Sequence, residues 1–129
     1  MNMYTLKFTF MIIGINNQLP IRLVNGPTTS SGRLEVYHNN QWGTVCSHGF
    51  YMQEARVACR QLGFTNASNY HCCGQFGYGN GPIWISNVNC NGTENNLASC
   101  SYTGWNNTGC SRYNEVGITC IGETKCDKI

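Results

Sequence analysis

The chain has few charged residues and no long hydrophobic run. Only 11% of its 129 positions are Asp, Glu, Lys or Arg, and eight basic against six acidic residues leave a formal charge of +2. The pI near 8.1 falls short of the basic balance of nucleic-acid-binding domains, so we expect no nucleic acid partner. A mostly apolar stretch covers only residues 8–15, whereas a transmembrane helix needs ~20 apolar residues. We therefore expect no membrane insertion within this chain.

Catalytic motifs are also missing. The single aspartate is Asp127, and the sequence contains no GxSxG, no HExxH and no phosphate-binding glycine loop. A Ser/His/Asp hydrolase needs a base that a carboxylate orients. His71 lies beside two cysteines that we expect to be oxidised, so Cys-His catalysis is not favoured, and this histidine is expected to be a solvated loop residue. We predict that the chain is not an enzyme and needs no cofactor.

Cysteine, in contrast, is abundant, with nine residues in the chain. A zinc ribbon or finger needs two closely spaced pairs of ligands, and the spacing here is mostly ten or more residues. We interpret the cysteines as disulfide half-cystines of a protein made in an oxidising compartment. They are Cys46, Cys59, Cys72, Cys73, Cys90, Cys100, Cys110, Cys120 and Cys126.

Two further features indicate an extracellular location. Sequons at Asn66, Asn91 and Asn106 are candidate glycosylation sites. The first 15 residues place Lys7 before an apolar run, which resembles a short signal peptide, although no small-x-small cleavage pattern follows. We expect a signal peptide or unstructured N-terminus over residues 1–20, one domain over 21–121, and a tail or the start of a continuation over 122–129.

Alternation of apolar and polar residues predicts a β-hairpin. Residues 33–37 and 41–46 each alternate with period two, and Asn39 and Asn40 supply the turn between them. Short strands are also predicted over residues 83–85 and 115–119.

Helical spacing follows the hairpin over residues 54–63. This segment ends on Gly63, which suits a left-handed C-terminal cap, and it carries Arg56 and Arg60 on its polar face. A short second helix is expected from Thr93 through residue 99. Together with the strands, these helices predict an α+β fold. The apolar face of the first helix consists of Ala55, Ala58, Cys59 and Leu62.

Four segments share a more specific pattern. They are GRLEVYHNNQWGTVC at 32–46, ARVACRQLGF at 55–64, GYGNGPIWISNVNCNGTENNLASC at 77–100 and EVGITC at 115–120. In this order they closely resemble the scavenger receptor cysteine-rich domain, in its six-cysteine, group A-like form. The resemblance covers about 100 residues, close to a common domain size. It implies a small curved β-sheet that cradles one main α-helix and is stapled by disulfides.

The resemblance also implies a disulfide connectivity. It pairs Cys46 with Cys110, Cys59 with Cys120 and Cys90 with Cys100, whereas six cysteines alone allow fifteen pairings.

Three cysteines fall outside this pattern. Either Cys126 reaches back to Cys72 or Cys73, or the adjacent pair forms a bridge of its own. The odd total leaves a thiol that is free, intermolecular or paired with a missing continuation of the chain.

Arginines provide the ligand-binding hypothesis that the resemblance suggests. Members of the family place the Gly-Arg-x-Glu-Val strand at a ligand-facing sheet, so Arg33 is a candidate, and guanidinium groups suit sulfate, phosphate and carboxylate arrays. Arg33 and Glu35 point to the same side of a strand, so the alternative is that they pair with each other. The full set of candidates is Arg33, Arg56, Arg60 and Arg112, with Arg22 as a possible addition to the basic face.

A divalent cation site of the family is degraded in this sequence. The acidic pair that follows the Gly-Thr-Val-Cys strand is replaced by Ser47 and His48, and only Glu94 matches. Because calcium prefers several carboxylate oxygens, we expect weak or absent binding. A zinc site formed by His48 and Glu94 is the alternative to an unliganded pair.

The tryptophans Trp42, Trp84 and Trp105 are interpreted as packing residues rather than a sugar-stacking platform. The chain as a whole is predicted to be an extracellular module, secreted or part of a membrane protein's ectodomain. The resemblance implies that it recognises proteins or polyanionic and microbial surfaces in innate defence or adhesion. The alternatives are an accessory domain of a larger secreted or membrane-bound enzyme, such as a protease or amine oxidase, and a structural module of a cell-surface mosaic protein.

Overall fold

A computed structural model of the chain describes residues 19–106 and 109–122. Over these described residues the elements are seven strands, one α-helix and two 3-10 turns. The turns are Leu97–Ser99 and Arg112–Asn114. The strands and the helix are β1 Ile21–Val24, β2 Ser31–His38, β3 Gln41–Val45, α1 Met52–Gln61, β4 Asn66–His71, β5 Ile83–Asn89, β6 Ser101–Thr103 and β7 Gly117–Ile121.

The strands form one mixed sheet. Its order is β4-β7-β2-β3-β5-β6, and β1 pairs with β2 off this path. All pairs are antiparallel except β3 with β5. Strand β2 is central because β7 pairs with its residues 31–33, β3 with its residues 35–38 and β1 with its residues 33–36.

The predicted hairpin is confirmed as β2 and β3. His38 pairs with Gln41 across a two-residue turn in which Asn39 and Asn40 have φ angles of 54° and 63°. Positive φ at both turn residues matches the right-handed twist of the flanking strands, and asparagine tolerates this conformation better than most residues.

The predicted main helix is confirmed and begins two residues earlier than expected. Its N-terminus is capped by the side chain of Glu54, whose Oε1 accepts the Tyr51 amide at 2.7 Å. At the other end, Gly63 adopts a φ of 99°, and the amides of Gly63 and Phe64 donate to the carbonyls of Arg60 and Cys59. This is a Schellman arrangement, which satisfies carbonyls that the helix leaves without partners.

The core lies between α1 and the sheet. The helix packs against β4 and β7, and the Cys59–Cys120 bridge joins it covalently to β7. The predicted apolar helix face is buried, with Leu62 only partly so. Fully buried residues of the core include Leu34, Val36, Val45, Phe50, Ala55, Ala58, Ile85, Leu97, Val116 and Ile118.

The predicted second helix from Thr93 is wrong. The structure has only the 3-10 turn Leu97–Ser99 there, and Gly92 adopts a φ of 102° in a tight turn upstream of it. The carboxylate of Glu94 accepts the amides of Asn91 and Gly92, so this segment satisfies its backbone donors in a turn instead of a helix.

The two described residues that precede the predicted domain start, Leu19 and Pro20, bond to the fold. Leu19 is buried and its carbonyl accepts a hydrogen bond from Gln61, while the Pro20 carbonyl accepts the Tyr37 amide at 2.9 Å. Residues 1–18, which include the apolar run at 8–15, lie outside the described residues, as does Cys126. Among the described residues, no helix has the length and hydropathy to cross a bilayer.

Candidate functional site

A row of polar side chains crosses one face of the sheet. The strand registers place Arg22 of β1 opposite Glu35 of β2, and Glu35 opposite Thr44 of β3. The Thr44 hydroxyl then donates to the Glu115 carboxylate at 3.1 Å, just before β7 begins. Strand register and the Thr44–Glu115 hydrogen bond thus bring residues from four parts of the chain into one line, which is buried except at Arg22.

Glu35 is held between two arginines. Its Oε1 accepts from Arg22 Nε and Nη2 at 3.0 and 2.7 Å, and its Oε2 accepts from Arg33 Nε at 3.0 Å. The Arg33 side chain is only 10% exposed and also donates to the Phe76 carbonyl at 3.1 Å. A buried carboxylate requires such partners because an unpaired charge in the interior is costly.

Glu115 is the second buried carboxylate and connects three segments. Its Oε2 accepts from Thr44 and from Arg112, and its Oε1 accepts the Gly79 amide at 2.7 Å. Arg112 also donates to the Gly81 carbonyl. The side chain of Glu115 therefore fixes the positions of both the Arg112 turn and the backbone near Gly79.

The segment 72–82, which we call the cover loop, lies over this polar row. Three of its backbone groups, at Phe76, Gly79 and Gly81, bind side chains of the row or arginines that are paired with its glutamates. Gly79 is buried, and a Cβ there would come within 2.7 Å of Thr44 Cγ2. Glycine is required here because the loop backbone approaches the sheet too closely for a side chain.

Two exposed tyrosines lie on the outer side of this assembly. Tyr78 of the cover loop is 47% exposed and Tyr113 is 71% exposed, and their rings meet edge to face with centroids 5.9 Å apart. Arg112, beside Tyr113 in sequence, is also partly exposed. We refer to Tyr78, Tyr113 and Arg112 as the tyrosine patch.

Most arginines of the predicted basic ligand face are bonded within the domain. Arg33 is buried and paired with Glu35, which is the alternative arrangement that the sequence left open. Arg60 donates to the carbonyls of Gly92 and Glu94 and thereby fastens the helix to that turn.

Arg112 is paired with the buried Glu115, and Arg22 is paired with the buried Glu35. Both arginines remain partly exposed. Arg56 is partly exposed, and its side chain makes no hydrogen bond or ion pair with any residue that the structure describes.

The residues of the family's cation position do not form a suitable site for a hard cation. His48 is exposed and clusters with Cys46 and Cys110, whereas Glu94 clusters with Cys90 and Cys100. In both clusters the two sulfurs are bonded to each other and are not thiolate ligands.

The carboxylate of Glu94 is already engaged by the backbone. The hydrogen bond from the Asn91 amide lowers the pKa of Glu94 below its ordinary value; desolvation opposes this shift, and bonds from neighbouring amides add to it. Ser47 and His48 supply a hydroxyl and an imidazole in place of two carboxylates. This donor set does not fit calcium.

Four disulfides are present among the described residues. Three are the pairs that the resemblance implies, Cys46–Cys110, Cys59–Cys120 and Cys90–Cys100. The fourth joins the neighbours Cys72 and Cys73, whose Cα atoms are 3.7 Å apart. Of the two arrangements left open for these neighbours, the structure contains the bridge between them.

The remaining predicted residues have mixed outcomes. Asn66, Asn91 and Asn106 are all exposed, and their glycosylation stays a prediction; the last two residues of the Asn106 sequon lie outside the described part of the chain. His71 is not a solvated loop residue, since it ends β4, bonds the Thr119 hydroxyl at 3.0 Å and contacts the Phe76 ring.

The tryptophans pack as expected. Trp84 is buried and donates to the Gln41 carbonyl, and Trp105 stacks on His38 at 3.7 Å between centroids. Trp42 lies under the Arg22 guanidinium at 4.1 Å from the ring centroid.

A curled mixed sheet with one main helix, stapled by disulfides, is typical of a class of small, disulfide-rich extracellular domain. The family model for the scavenger receptor cysteine-rich domain matches residues 24–121. The chain belongs to this family.

Solved structures of the family have the same fold. The third such domain of murine neurotrypsin superimposes with a TM-score of 0.73 and 40% identity, covering 79% of this chain and 95% of that one. The domain of mouse MARCO, in its dimeric form, gives a TM-score of 0.66 and 40% identity, covering 78% and 93%.

Curated relatives are much longer than this chain. Lysyl oxidase homolog 4 of Mus musculus is 50% identical over 102 residues, which are 78% of this chain and 13% of that protein. A scavenger receptor cysteine-rich domain superfamily protein of Patiria pectinifera is 38% identical over 105 residues, 81% of this chain and 9% of that protein. Domains of this family are non-catalytic extracellular modules of larger multidomain proteins, and the likeness to lysyl oxidase homologs is confined to this module.

Sequence reasoning missed the residues that organise the site. Thr44, Gly79 and Glu115 lie in segments that carry the family resemblance, but nothing in the sequence assigns them a role in the site, and Tyr113 lies outside those segments. The register of β2 with its neighbours reveals the row, and no local pattern specifies that register.

Proposed function

We propose that this chain is an extracellular recognition domain that binds a protein ligand through the tyrosine patch. The observation that carries the proposal is the exposed pair Tyr78 and Tyr113 beside Arg112, on backbone that the buried Glu115 holds in place. Exposed aromatic side chains that contact each other in one patch are typical of interaction sites, whereas singly exposed ones are common on any surface.

The composition and rigidity of the patch support a protein ligand. Tyrosine and arginine are the residues, with tryptophan, that most often dominate the binding energy of protein interfaces. The two tyrosines already contact each other, and Arg112 is bonded to Glu115 and Gly81. Side chains that are ordered before binding lose less conformational entropy when the complex forms.

Recognition of polyanionic or microbial surfaces is the second candidate. Arg56 is the observation that favours it, because its guanidinium has no acidic partner among the described residues. The other arginines have part of their hydrogen-bonding capacity committed within the domain. We therefore expect polyanion binding to be weaker and more sensitive to salt than protein binding.

The biological setting that we propose is a larger secreted or membrane-bound protein. The similarity to lysyl oxidase homologs favours an accessory domain of an amine oxidase over the alternative of a protease. If the complete protein has no enzyme domain, two other roles are proposed. One is recognition in innate defence or adhesion, and the other is a structural module that binds only its neighbouring domains.

Surface plasmon resonance with defined probes tests the recognition proposal. Immobilised fibrillar collagen, fibronectin and laminin represent protein ligands, and heparin and dextran sulfate represent polyanions. We expect binding to at least one protein probe, an affinity loss of tenfold or more on Tyr113→Ala, and little effect of salt. Polyanion binding is expected to fall with salt and on Arg56→Ala.

Tyr51→Ala is the matched control. Tyr51 is 55% exposed and meets Tyr70 edge to face at 5.9 Å, the same geometry as the pair in the patch. Its substitution should leave protein binding within twofold. Equal losses in the two variants, unchanged binding in Tyr113→Ala, or no binding to any of the five probes would overturn the proposal.

A further inference from the structure

The bridge between Cys72 and Cys73 differs from the other described bridges in its accessibility. Both of its residues are exposed. In each of the other three bridges at least one cysteine is buried: Cys46, both Cys59 and Cys120, and both Cys90 and Cys100. Because thiol–disulfide exchange requires a thiolate to reach a sulfur atom, access decides which bridge reacts first.

This bridge also contributes little to global stability. It joins residues one position apart, whereas the other three span 64, 61 and 10 positions. In the chain-entropy model a disulfide stabilises the fold by closing a loop of the unfolded chain. A bridge between neighbours closes no such loop, so its effect on the folded protein is local.

The local element that it affects is the cover loop. Cys73 has a φ of 72°, a left-handed conformation that is unfavourable for a residue with a side chain, and Gly74 follows with a φ of 70°. The Gly74 amide then donates to the Glu115 carbonyl at 3.2 Å, and the Gly77 amide donates to the Gly74 carbonyl. The backbone at Cys73 thus directs the loop onto the polar row.

We propose that Cys72 and Cys73 form a thiol–disulfide exchange site for extracellular dithiols and that its redox state controls the order of the cover loop. A thiolate of the dithiol attacks one sulfur of the bridge. The bond between the two cysteines breaks, a mixed disulfide forms, and the released sulfur takes up a proton. The second thiol of the reagent then attacks the reagent's own sulfur in the mixed disulfide, which closes the reagent's disulfide and releases the second protein cysteine as a thiol.

The exchange balances in atoms and electrons. Two electrons and two protons pass from the dithiol to Cys72 and Cys73, which end as thiols, and the reagent ends as a disulfide. Once the bridge is open, Cys73 is free to leave the left-handed conformation, which releases the contact between Gly74 and Glu115. The cover loop, with Tyr78, becomes less ordered.

Selective reduction of the full-length chain tests the site. The oxidised protein is treated with graded dithiothreitol at neutral pH without denaturant, trapped with N-ethylmaleimide, and mapped by mass spectrometry. We expect Cys72 and Cys73 to be labelled at least tenfold faster than cysteines of the other three bridges. Reduction of Cys90–Cys100 at a similar rate, or a bond from Cys72 or Cys73 to Cys126 in the untreated protein, would overturn the assignment.

Hydrogen exchange of the same samples tests the response of the loop and does not depend on any ligand. Residues 74–82 are expected to exchange faster after selective reduction, while residues 34–45 remain unchanged. In the Cys72→Ser/Cys73→Ser variant, residues 74–82 should exchange as in the reduced protein, and dithiothreitol should not change that exchange rate. The variant should melt within about 4 °C of the parent. Identical exchange of residues 74–82 in the oxidised and reduced protein would refute the control of the loop.

Discussion

Glu115 accepts the backbone amide of Gly79 at 2.7 Å although the two residues are 36 positions apart in the chain. The contact is buried, and the other carboxylate oxygen of Glu115 binds Arg112 and Thr44. One side chain therefore joins the cover loop, the sheet and the turn that carries Tyr113. It sets the geometry of the tyrosine patch without being exposed itself.

Substitution of Glu115 by glutamine is expected to destabilise the domain by about 2–4 kcal/mol. Glutamine has one acceptor oxygen where Glu115 uses two, and it leaves the charge of Arg112 without its partner. Chemical denaturation monitored by tryptophan fluorescence measures the effect. Glu94→Gln, at a carboxylate that accepts no bond from the cover loop, is the control and should destabilise the domain much less. Equal stability of Glu115→Gln and the parent would show that the cover loop does not depend on this contact.

The long disulfides are expected to dominate the contribution of cross-links to stability. In the chain-entropy model, removing Cys59–Cys120 by a double serine substitution costs about 4 kcal/mol, and removing Cys90–Cys100 costs about 3 kcal/mol. Non-reducing peptide mapping of the parent should recover these two pairs and Cys46–Cys110. A different partner for any of these six cysteines would contradict the connectivity.

The turn that contains Glu94 should loosen in acid. Because the Asn91 amide lowers the pKa of Glu94 in the folded state, the stabilisation is complete above the ordinary glutamate pKa and is lost as the pH falls through the lower folded value. An NMR titration of the Asn91 and Gly92 amides should give a midpoint below that of a model glutamate, and Glu94→Gln should abolish the transition. A midpoint at or above the model value would contradict the hydrogen bonds.

Calcium is expected to bind weakly or not at all at the family's cation position. Isothermal titration of the parent should reveal no strong site, since Ser47 and His48 bring no carboxylate and the Glu94 oxygens accept backbone amides. The Ser47→Asp/His48→Asp variant restores two carboxylates and should bind calcium more tightly than the parent. A micromolar site in the parent would overturn this expectation.

Local pattern was sufficient for the main elements of this fold. The alternation of 33–37 and 41–46 with two asparagines between them predicted the β2–β3 hairpin, and the helical spacing that ends on Gly63 predicted α1. These elements depend on interactions within a few residues, such as the left-handed turn and the C-terminal cap. The same reasoning failed after Thr93, where backbone amides compete for the Glu94 carboxylate and a turn replaces the helix.

The sequence by itself therefore determined the hairpin, the helix and the likeness to a disulfide-stapled family, because each is written in short spacings or in an ordered set of segments. Only the tertiary structure decided that Arg33 is buried and that Tyr78 meets Tyr113. The burial of an arginine depends on which distant segment covers it, and here that segment is held by Glu115. Such contacts arise from strand register and loop packing, which the spacing of residues along the chain does not specify.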